Sequence, residues 1–171
     1  MNVLGIDIGG SGVKGAIVDI ESGKLLSEKI RFPTPNKPTP KKIFDGIKSN
    51  ILDELKWDGN VGCGFPGVVK KNKIYSAANI EKKWIGLNLK KKFRKKFNLR
   101  CKAINDADAA GLSEIALNTN VVKRGTVLII TVGTGLGTSM FIDGKLIPNF
   151  ELGHLKMYGD CAEKYLSLIH I

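Results

Sequence analysis

Hydrophobic positions at the start of the chain follow a pattern that predicts three short strands. Residues 3–8 read VLGIDI and residues 12–20 read GVKGAIVDI, with a glycine-rich turn between them. A second turn, ESGK, leads into a third stretch over residues 24–32. Strands joined by turns this short usually pair in antiparallel fashion. The chain is therefore predicted to open as an antiparallel meander.

The spacing of apolar residues changes to a helical period after a proline-rich connection at residues 33–40. Pro40 suits the first position of a helix. Five aliphatic residues then recur on one face: Ile43, Ile47, Ile51, Leu52 and Leu55. Lysine and polar residues occupy the other face, as in a helix packed on a core. The pattern predicts an amphipathic helix over residues 41–55.

Further along, strands lead directly into turns or helices. Residues 60–69, NVGCGFPGVV, predict a strand broken by Gly-Phe-Pro-Gly. Residues 102–106, KAIND, predict a short strand that ends where an alanine-rich helix begins at Ala107. Residues 126–147 predict two strands around a glycine turn. Ligands of α/β folds gather where strands end and helices begin, so these junctions are candidate sites.

Two segments of the chain repeat one plan. Residues 3–25 and 127–146 each read as an apolar strand, a glycine-rich turn with Ser or Thr, a second strand, then Asp and Gly-Lys-Leu. Repetition of a supersecondary unit indicates related parts of a fold. The sequence therefore predicts two related halves.

Charge adds a candidate partner. The chain has 27 Lys+Arg against 16 Asp+Glu, a formal charge of +11, and residues 82–102 hold ten of the basic residues without an acid. Such a density favours a polyanionic partner, although a solvated helix face is an equally simple interpretation. The candidate polyanion track comprises Lys91, Lys92, Arg94, Lys95 and Lys96.

Composition restricts the setting. The 171 residues are 43% hydrophobic, which is normal for a cored protein, and no apolar run approaches the ~20 residues of a membrane span. The N-terminus enters a strand without a secretory pattern, so we expect a cytoplasmic protein. Cys63, Cys101 and Cys161 are odd in number and widely spaced, which predicts reduced structural thiols rather than disulfides or a cysteine-based zinc site. Trp84 is expected to pack in the core.

The first glycine-rich turn is a candidate phosphate cradle. Residues 10–15 match GxGxxG, but a dinucleotide fingerprint opens a helix and here a strand follows, and Lys14 is not followed by the Ser/Thr of a P-loop. A tight hairpin explains one or two glycines. Backbone N–H groups can wrap phosphate oxygens, and Asp7 could hold Mg²⁺ through water. The candidate ligands are Asp7, Gly9, Gly10, Ser11, Gly12 and Lys14, and, in the second turn, Thr131, Gly133, Thr134, Gly135 and Gly137.

Seven motifs occur in a recognisable order between Val3 and Glu163. They read DIGGSGVKGAIVD, GFPGVV, AANI, WIG, INDADAAGLSE, GTGLGTS and IPNFELGHL. The set resembles the ROK family of sugar kinases, and within it most closely the polyphosphate glucokinases. The resemblance implies an α/β, actin-like ATPase (ribonuclease H-like) fold, in which two related domains each present a phosphate hairpin. It places the first domain at residues 1–108 and the second at residues 109–165.

The same resemblance assigns roles to polar residues. Asp106 matches the family's catalytic aspartate, and a carboxylate can act as the base that accepts the proton of a hydroxyl group. The alternative interpretation is that the Asn-Asp pair caps the amino end of a helix. The sugar-ligand positions are Gly64, Pro66, Gly67, Asn79, Asn105, Asp106, Glu151 and His154. A metal pair on a helix is the competing interpretation of Glu-x-x-His, and Gly153 and Pro148 argue against a helix there. No structural zinc is expected, because only Cys161 follows this histidine.

The implied function is phosphorylation of glucose at its 6-hydroxyl with Mg²⁺, with polyphosphate as the favoured donor and ATP as an alternative. An ATP-dependent glucokinase or other ROK hexokinase is the second hypothesis. A nucleic-acid-binding relative is the third hypothesis. The family's repressors carry a DNA-binding module before the first phosphate motif, whereas only six residues precede Asp7 here. The second domain is expected to be incomplete, residues 166–171 to be a non-native tail, and a complete chain to form a homodimer. A non-catalytic sugar-binding fragment is the fourth hypothesis.

Overall fold

The computed structural model describes residues 1–77, 80–118, 120–121, 123–132 and 135–166. It contains two compact units, Met1–Asp106 and Ala107–Ile171. In chain order the strands are β1 Asn2–Ile8, β2 Gly12–Asp19, β3 Ile30–Pro33, β4 Val61–Phe65, β5 Val69–Lys70, β6 Lys73–Ile74, β7 Cys101–Asn105, β8 Thr126–Val132, β9 Leu136–Ile142, β10 Lys145–Ile147, β11 Lys156–Met157 and β12 Asp160–Cys161.

The α-helices are α1 Pro40–Ile47, α2 Asp53–Leu55, α3 Leu89–Phe97, α4 Asp106–Leu117 and α5 Glu163–Leu166. A π-helical turn, Lys48–Leu52, joins α1 to α2. Single 3₁₀ turns cover Lys82–Trp84 and Leu152–His154. None of the helices in the described ranges combines the length and the apolar character that crossing a membrane requires.

The first unit is built on a five-stranded mixed sheet in the order β3-β2-β1-β4-β7. Strands β1, β2 and β3 form the antiparallel meander that the sequence predicts. Strands β1, β4 and β7 are parallel neighbours, with Asp7 opposite Gly64 and Phe65 opposite Asn105. Because parallel strands end at a common edge, this register determines which side chains meet there.

The third strand differs from the predicted span of residues 24–32. Ordered pairing covers only β3, and Leu25 contributes a single isolated bridge to Val18. Between them the hydroxyl of Ser27 accepts a hydrogen bond from the Ile17 backbone N–H at 2.9 Å. The Ile17 N–H is thus bound to a side chain instead of to a backbone carbonyl of a neighbouring strand. The third strand therefore begins later than the apolar pattern indicates.

The helical pattern of residues 41–55 is confirmed, although the helix is not uniform. Thr39 caps α1, its hydroxyl accepting from the Lys42 N–H at 3.4 Å, and Pro40 occupies the first turn. The π-helical turn lies between α1 and α2, and Ile51 within it remains fully buried. The helical segment ends at Lys56 in the left-handed conformation.

Trp84 lies at the centre of the first unit's core, as predicted. Its side chain is fully buried, and its ring centroid is 6.1 Å from that of Phe44 and 5.1 Å from that of Phe65. The indole N–H donates to the Pro38 carbonyl at 2.7 Å. This hydrogen bond fastens the proline-rich connection to the core.

The lysine-rich run folds as the amphipathic helix α3. Leu89 and Phe93 are fully buried, and the Phe93 ring meets that of Phe44 edge-on at 5.0 Å. The basic residues between them project from the other sides of the helix, since the buried positions are one helical turn apart. Two apolar anchors are therefore enough to dock a segment that is otherwise cationic.

The second unit contains the antiparallel sheet β10-β9-β8. Helix α4 packs directly on β9: a Cβ on Gly111 would overlap the Ser139 side chain, and Ile115 and Phe141 are buried. On β8, by contrast, Leu128 and Ile130 are 43% and 53% exposed. Both copies of the predicted repeat thus form antiparallel strand pairs, β1–β2 and β8–β9.

The loop after β4 depends on a close approach at Gly67. A Cβ at this position would overlap the carbonyl oxygen of Ser76. The Ser76 hydroxyl also accepts from the Val68 N–H at 2.8 Å, and the Gly67 carbonyl accepts from the Asn105 side-chain amide at 3.2 Å. The loop, the Ser76 segment and the end of β7 are therefore joined at one glycine.

Substitution Gly67→Ala is expected to destabilise the protein by about 1–3 kcal/mol, because the new methyl group must displace backbone. Gly64→Ala is the matched control, since a Cβ there has no contact closer than 3.5 Å. Urea unfolding, which reports the free energy of unfolding, should place the Gly64 variant near wild type. Equal stability of the two variants would contradict the close packing of Gly67.

The thiols should differ in reactivity. Burial raises the pKa of Cys101 to about 12 and that of Cys63 well above its usual value, whereas Cys161 is half-buried. Because the thiolate is the reactive species, a disulfide reagent at pH 8 should label Cys161 in the folded protein and the other two only after denaturation. Fast labelling of all three without denaturant would show that the first unit opens readily.

Candidate functional site

Two carboxylates lie at the carboxyl edge of the parallel strands. Asp7 is near the end of β1, and Asp106 directly follows β7 as the first residue of α4. Gly64 on β4 lies between them: a Cβ there would be 3.5 Å from the Asp106 Cα and 3.8 Å from Asp7 Oδ1. The missing side chain leaves room beside both acids, so these predicted site residues are brought together.

The turn between β1 and β2 is a tight hairpin next to these acids. The Gly9 N–H donates to the Gly12 carbonyl at 3.0 Å, with Gly10 and Ser11 at the tip. A Cβ on Gly9 would be 2.9 Å from the Gly12 oxygen, so close approach explains this glycine. Small residues leave the backbone N–H groups of the tip accessible, as a phosphate cradle requires.

Thr34 supports this hairpin and was not identified from the sequence. Its hydroxyl donates to the Gly9 carbonyl at 2.6 Å, and its N–H lies 3.4 Å from the Ser11 carbonyl. Thr34 follows β3 inside the proline-rich connection, which the sequence pattern indicates only as an exposed linker. The connection therefore also holds the hairpin tip.

Positive charge borders the base of the hairpin. Lys14 Nζ is 3.4 Å from Asp7 Oδ2, and the two side chains are 47% and 46% exposed. Arg31 on β3 is opposite Lys14 in the sheet, and its guanidinium lies against Gly12, where a Cβ would be 2.8 Å from Nε. Two cations beside accessible backbone N–H groups favour an anionic ligand. Arg31 could have been found only with the correct register of β3.

The predicted sugar loop also assembles within the first unit. Asn105 is 3% exposed and its side-chain amide is oriented by the Gly67 carbonyl. Pro66 is half-buried in the same loop. Gly64, Pro66, Gly67 and Asn105 therefore lie beside Asp106 at one sheet edge. Asn79 lies outside the described residues.

In the second unit, the β8–β9 hairpin carries the second set of predicted phosphate ligands. Thr131 is opposite Gly137, and its hydroxyl donates to the Gly137 carbonyl at 3.3 Å. A Cβ on Gly137 would overlap this hydroxyl and lie 3.2 Å from the Ala107 Cβ, so the glycine allows α4 to begin close to the hairpin. Gly135 has Glu163 Oε2 3.1 Å from its Cβ position. Gly133 and Thr134 lie outside the described residues.

Glu151 and His154 are neighbours in the segment after β10. Glu151 Oε2 is 3.5 Å from His154 Nδ1. The residues from Leu152 to His154 form one 3₁₀ turn, so the pair is not presented by an α-helix. Within the described ranges, no cluster of three or more His, Cys, Asp or Glu side chains suits a metal ion.

Two buried polar residues that the sequence did not indicate hold this segment. The Thr138 hydroxyl donates to the Phe150 carbonyl and accepts from the Leu152 N–H. Asp108 Oδ2 accepts from the Asn149 N–H at 2.8 Å. Both side chains are at most 4% exposed. The backbone on each side of Glu151 is therefore fixed to β9 and α4.

The surroundings of Glu151 favour its protonated form. Burial raises the pKa of Glu151, His154 opposes the shift, and Asp108 and Glu163 add to it. Burial likewise raises the pKa of Asp108, against the hydrogen bond from Asn149. A carboxyl that is partly removed from water retains its proton to a higher pH, so hydrogen bonding at Glu151 is expected to depend on pH.

The predicted polyanion track is distributed along α3. Lys96 is ion-paired with Asp45, and Lys92 Nζ lies 5.9 Å from the Phe44 ring centroid. Helix α3 ends shortly before Cys101, which begins β7. The last turn, with Arg94, Lys95 and Lys96, therefore lies near the amino end of β7, whereas Asp106 follows its carboxyl end.

The chain is similar in sequence to known glucokinases. The chain is 39% identical to a polyphosphate glucokinase of Mycobacterium tuberculosis over 162 residues, covering 94% of this chain and 61% of the relative. It is 34% identical to a glucokinase of Streptomyces coelicolor, covering 96% and 56%. The chain thus spans about three fifths of the length of these relatives.

Solved structures show the same fold. An inorganic polyphosphate/ATP-glucomannokinase from Arthrobacter sp. strain KM superposes with a TM-score of 0.91 at 40% identity, over 99% of this chain and 69% of that one. A ROK family glucokinase from Streptomyces griseus, in complex with glucose and AMPPNP, gives 0.85 at 29%, over 99% and 58%. The α/β, actin-like ATPase fold is confirmed. Because the ROK family model matches residues 3–164, the chain belongs to the ROK family.

Proposed function

We propose that this protein phosphorylates glucose at its 6-hydroxyl, with inorganic polyphosphate as the phosphoryl donor. The observation that carries the proposal is the placement of Asp7 and Asp106 on either side of Gly64, next to the Gly9–Gly12 hairpin. The proposal is supported by relatives described as a polyphosphate glucokinase and a polyphosphate/ATP-glucomannokinase. The products would be glucose 6-phosphate and a donor shortened by one phosphate.

Asp106 serves as the base in this proposal. Its carboxylate accepts the proton of the 6-hydroxyl while that oxygen forms a bond to the terminal phosphorus of the donor. The bond from this phosphorus to the bridging oxygen breaks, and the electron pair leaves with the shortened donor. The position at the start of α4, beside the side-chain-free Gly64, provides space for a hydroxyl next to the carboxylate.

The first hairpin serves to hold the donor. Accessible N–H groups between Gly9 and Gly12, with Lys14 and Arg31 nearby, stabilise negative charge that increases on the phosphate oxygens. Asp7 is about half exposed and has an oxygen facing the space beside Gly64. A carboxylate of this kind fits Mg²⁺, which prefers oxygen ligands and retains water. When bound, the ion would neutralise phosphate charge.

In the second unit, Glu151 and His154 are proposed to bind sugar hydroxyls. In the first unit, Asn105 and the Gly67 loop are proposed for the same role. Each hydroxyl that is buried needs a partner, because an unpaired one costs about 1–3 kcal/mol. The hydrogen bonds from Asn149 to Asp108 and from Leu152 to Thr138 hold the backbone on each side of Glu151 in position before the sugar arrives. Such preorganisation favours one arrangement of hydroxyls over another.

An ATP-dependent glucokinase is the second candidate. The glucokinase from Streptomyces griseus holds AMPPNP, and the Arthrobacter enzyme is described as using polyphosphate or ATP. Both donors present a terminal phosphate to the same hairpin. Initial rates with each donor alone, and with both in competition, separate the candidates: turnover with ATP only would assign the protein to the second.

Asp106→Asn tests the proposed chemistry. The amide cannot accept the hydroxyl proton, so formation of glucose 6-phosphate should fall by about 10²–10⁴-fold with either donor. Asp58→Asn, an exposed aspartate of the same unit, makes the same change in charge and should retain full turnover. The free energy of unfolding of both variants should match wild type. Turnover by the Asp106 variant at the wild-type rate would reject the assignment.

Glucose binding should weaken on acidification. The ionised Glu151 accepts hydroxyl hydrogen bonds, and because its pKa is raised, this form is lost at a higher pH than for an ordinary carboxyl. Calorimetric titration with glucose, without donor, should show affinity falling as pH drops through the raised value. Glu151→Gln should remove this dependence, whereas Glu114→Gln, on an exposed face of α4, should retain it. A dependence that survives Glu151→Gln would assign the titration to another group.

A further inference from the structure

A cationic cleft lies at the amino ends of β4 and β7. Its volume is about 740 Å³, and its walls come from the segment around α2 and from the end of α3. Cations from both walls line it: Lys48, Lys56, Arg94, Lys95 and Lys96. Asp53 is the acidic lining residue, and Trp57 and Phe97 provide apolar wall. Two sequence segments about forty residues apart thus form one basic surface.

The cleft retains positive charge after its ion pairs are counted. Lys48 Nζ pairs with Asp53 Oδ1 at 2.6 Å, and Lys96 pairs with Asp45. Among the ion pairs of the described residues, none with a carboxylate involves Lys56 or Lys95. Arg94 donates to the Asn98 carbonyl at 3.1 Å, which leaves its charge in place. The excess favours an anionic ligand.

Helix termini explain only part of this cluster. The carboxyl end of a helix stabilises nearby cations, and Arg94, Lys95 and Lys96 occupy the last turn of α3. Lys48 instead begins the π-helical turn on the opposite wall, and Lys56 follows α2 in the left-handed conformation. Their convergence on the α3 cations is a property of the tertiary structure.

The cleft is separated from the proposed catalytic group by the length of β7. This parallel strand runs from Cys101 beside the cleft to Asn105 next to Asp106, a distance of about 13 Å. Lys91 and Lys95 are exposed and four residues apart, on the same face of α3. This face extends positive charge from the cleft along the helix. A ligand that uses both ends of the sheet must therefore be a long anion.

We propose that the cleft binds the distal phosphates of a polyphosphate chain, apart from the phosphate that is transferred. The inference rests on the proposed function, since it names a second binding region for the same donor. It adds Lys48, Lys56 and Trp57 to the residues that contact the donor, which the sequence had restricted to the polyanion track on α3. Short donors and ATP do not reach the cleft.

The test compares two double variants of the full chain. Lys56→Glu with Lys95→Glu reverses two cleft charges without removing the partner of a carboxylate. Lys24→Glu with Lys29→Glu makes the same change in net charge at exposed positions between β2 and β3.

Calorimetry at low salt measures binding of long-chain polyphosphate and of tripolyphosphate, without glucose. The cleft variant should lose about tenfold or more in affinity for the long chain, and the control little. Tripolyphosphate cannot occupy the cleft and the hairpin at once, so its affinity should fall less than that of the long chain in the cleft variant.

Three results would overturn the proposal: unchanged long-chain affinity in the cleft variant, an equal loss in the control, or duplex DNA binding as tightly as polyphosphate with the same loss. Turnover separates this inference from the proposed function. The cleft variant should show a raised KM for long polyphosphate, with kcat and the KM for ATP unchanged. Polyphosphate binding is measured without turnover, and turnover with ATP does not involve the cleft. The cleft proposal and the proposed kinase function can therefore fail independently.

Discussion

The arrangement of the candidate site depends on one constraint, the parallel register of β1, β4 and β7 across Gly64. Parallel pairing places Asp7 opposite Gly64 and aligns β4 with the end of β7. Because Gly64 carries no side chain, an open space remains that is bordered by Asp7 Oδ1 and by the Cα and Cβ of Asp106. A larger residue there would fill that space, and a shift of one residue in β7 would turn Asn105 to the other face of the sheet.

The core maintains this register from one side. Trp84 packs against Phe44 and Phe65 with tilted rings, and Phe44 also contacts Phe93, so the segments around α1, β4 and α3 share one aromatic contact region. Its indole hydrogen bond to Pro38 also restrains the connection from which Thr34 holds the hairpin tip. The packing of an aromatic side chain distant in sequence thus determines where backbone N–H groups are available to a phosphate.

Local patterns in the sequence predicted the hairpins, the helix over residues 41–55, the junction at Asp106 and the burial of Trp84. They succeeded because alternation, helical spacing and turn residues act over a few positions. Arg31 and Thr34 were missed because their roles depend on the pairing of β3 with β2, and the apolar pattern places the start of this strand too early. Thr138 and Asp108 were missed because their partners lie 12 to 41 residues away. Long-range partners leave no periodic signal.

The charge of the first unit is separated along its sheet, and this separation is consistent with a polymeric donor. Carboxylates with a small cationic hairpin occupy the carboxyl edge, which suits chemistry on one phosphate at a time. Cations with a single lining acid occupy the amino edge, which suits retention of a chain. A donor of one or two phosphates gains nothing from the second region. Only a ligand that repeats its charge benefits from both, because each added contact acts at the high effective concentration created by the first.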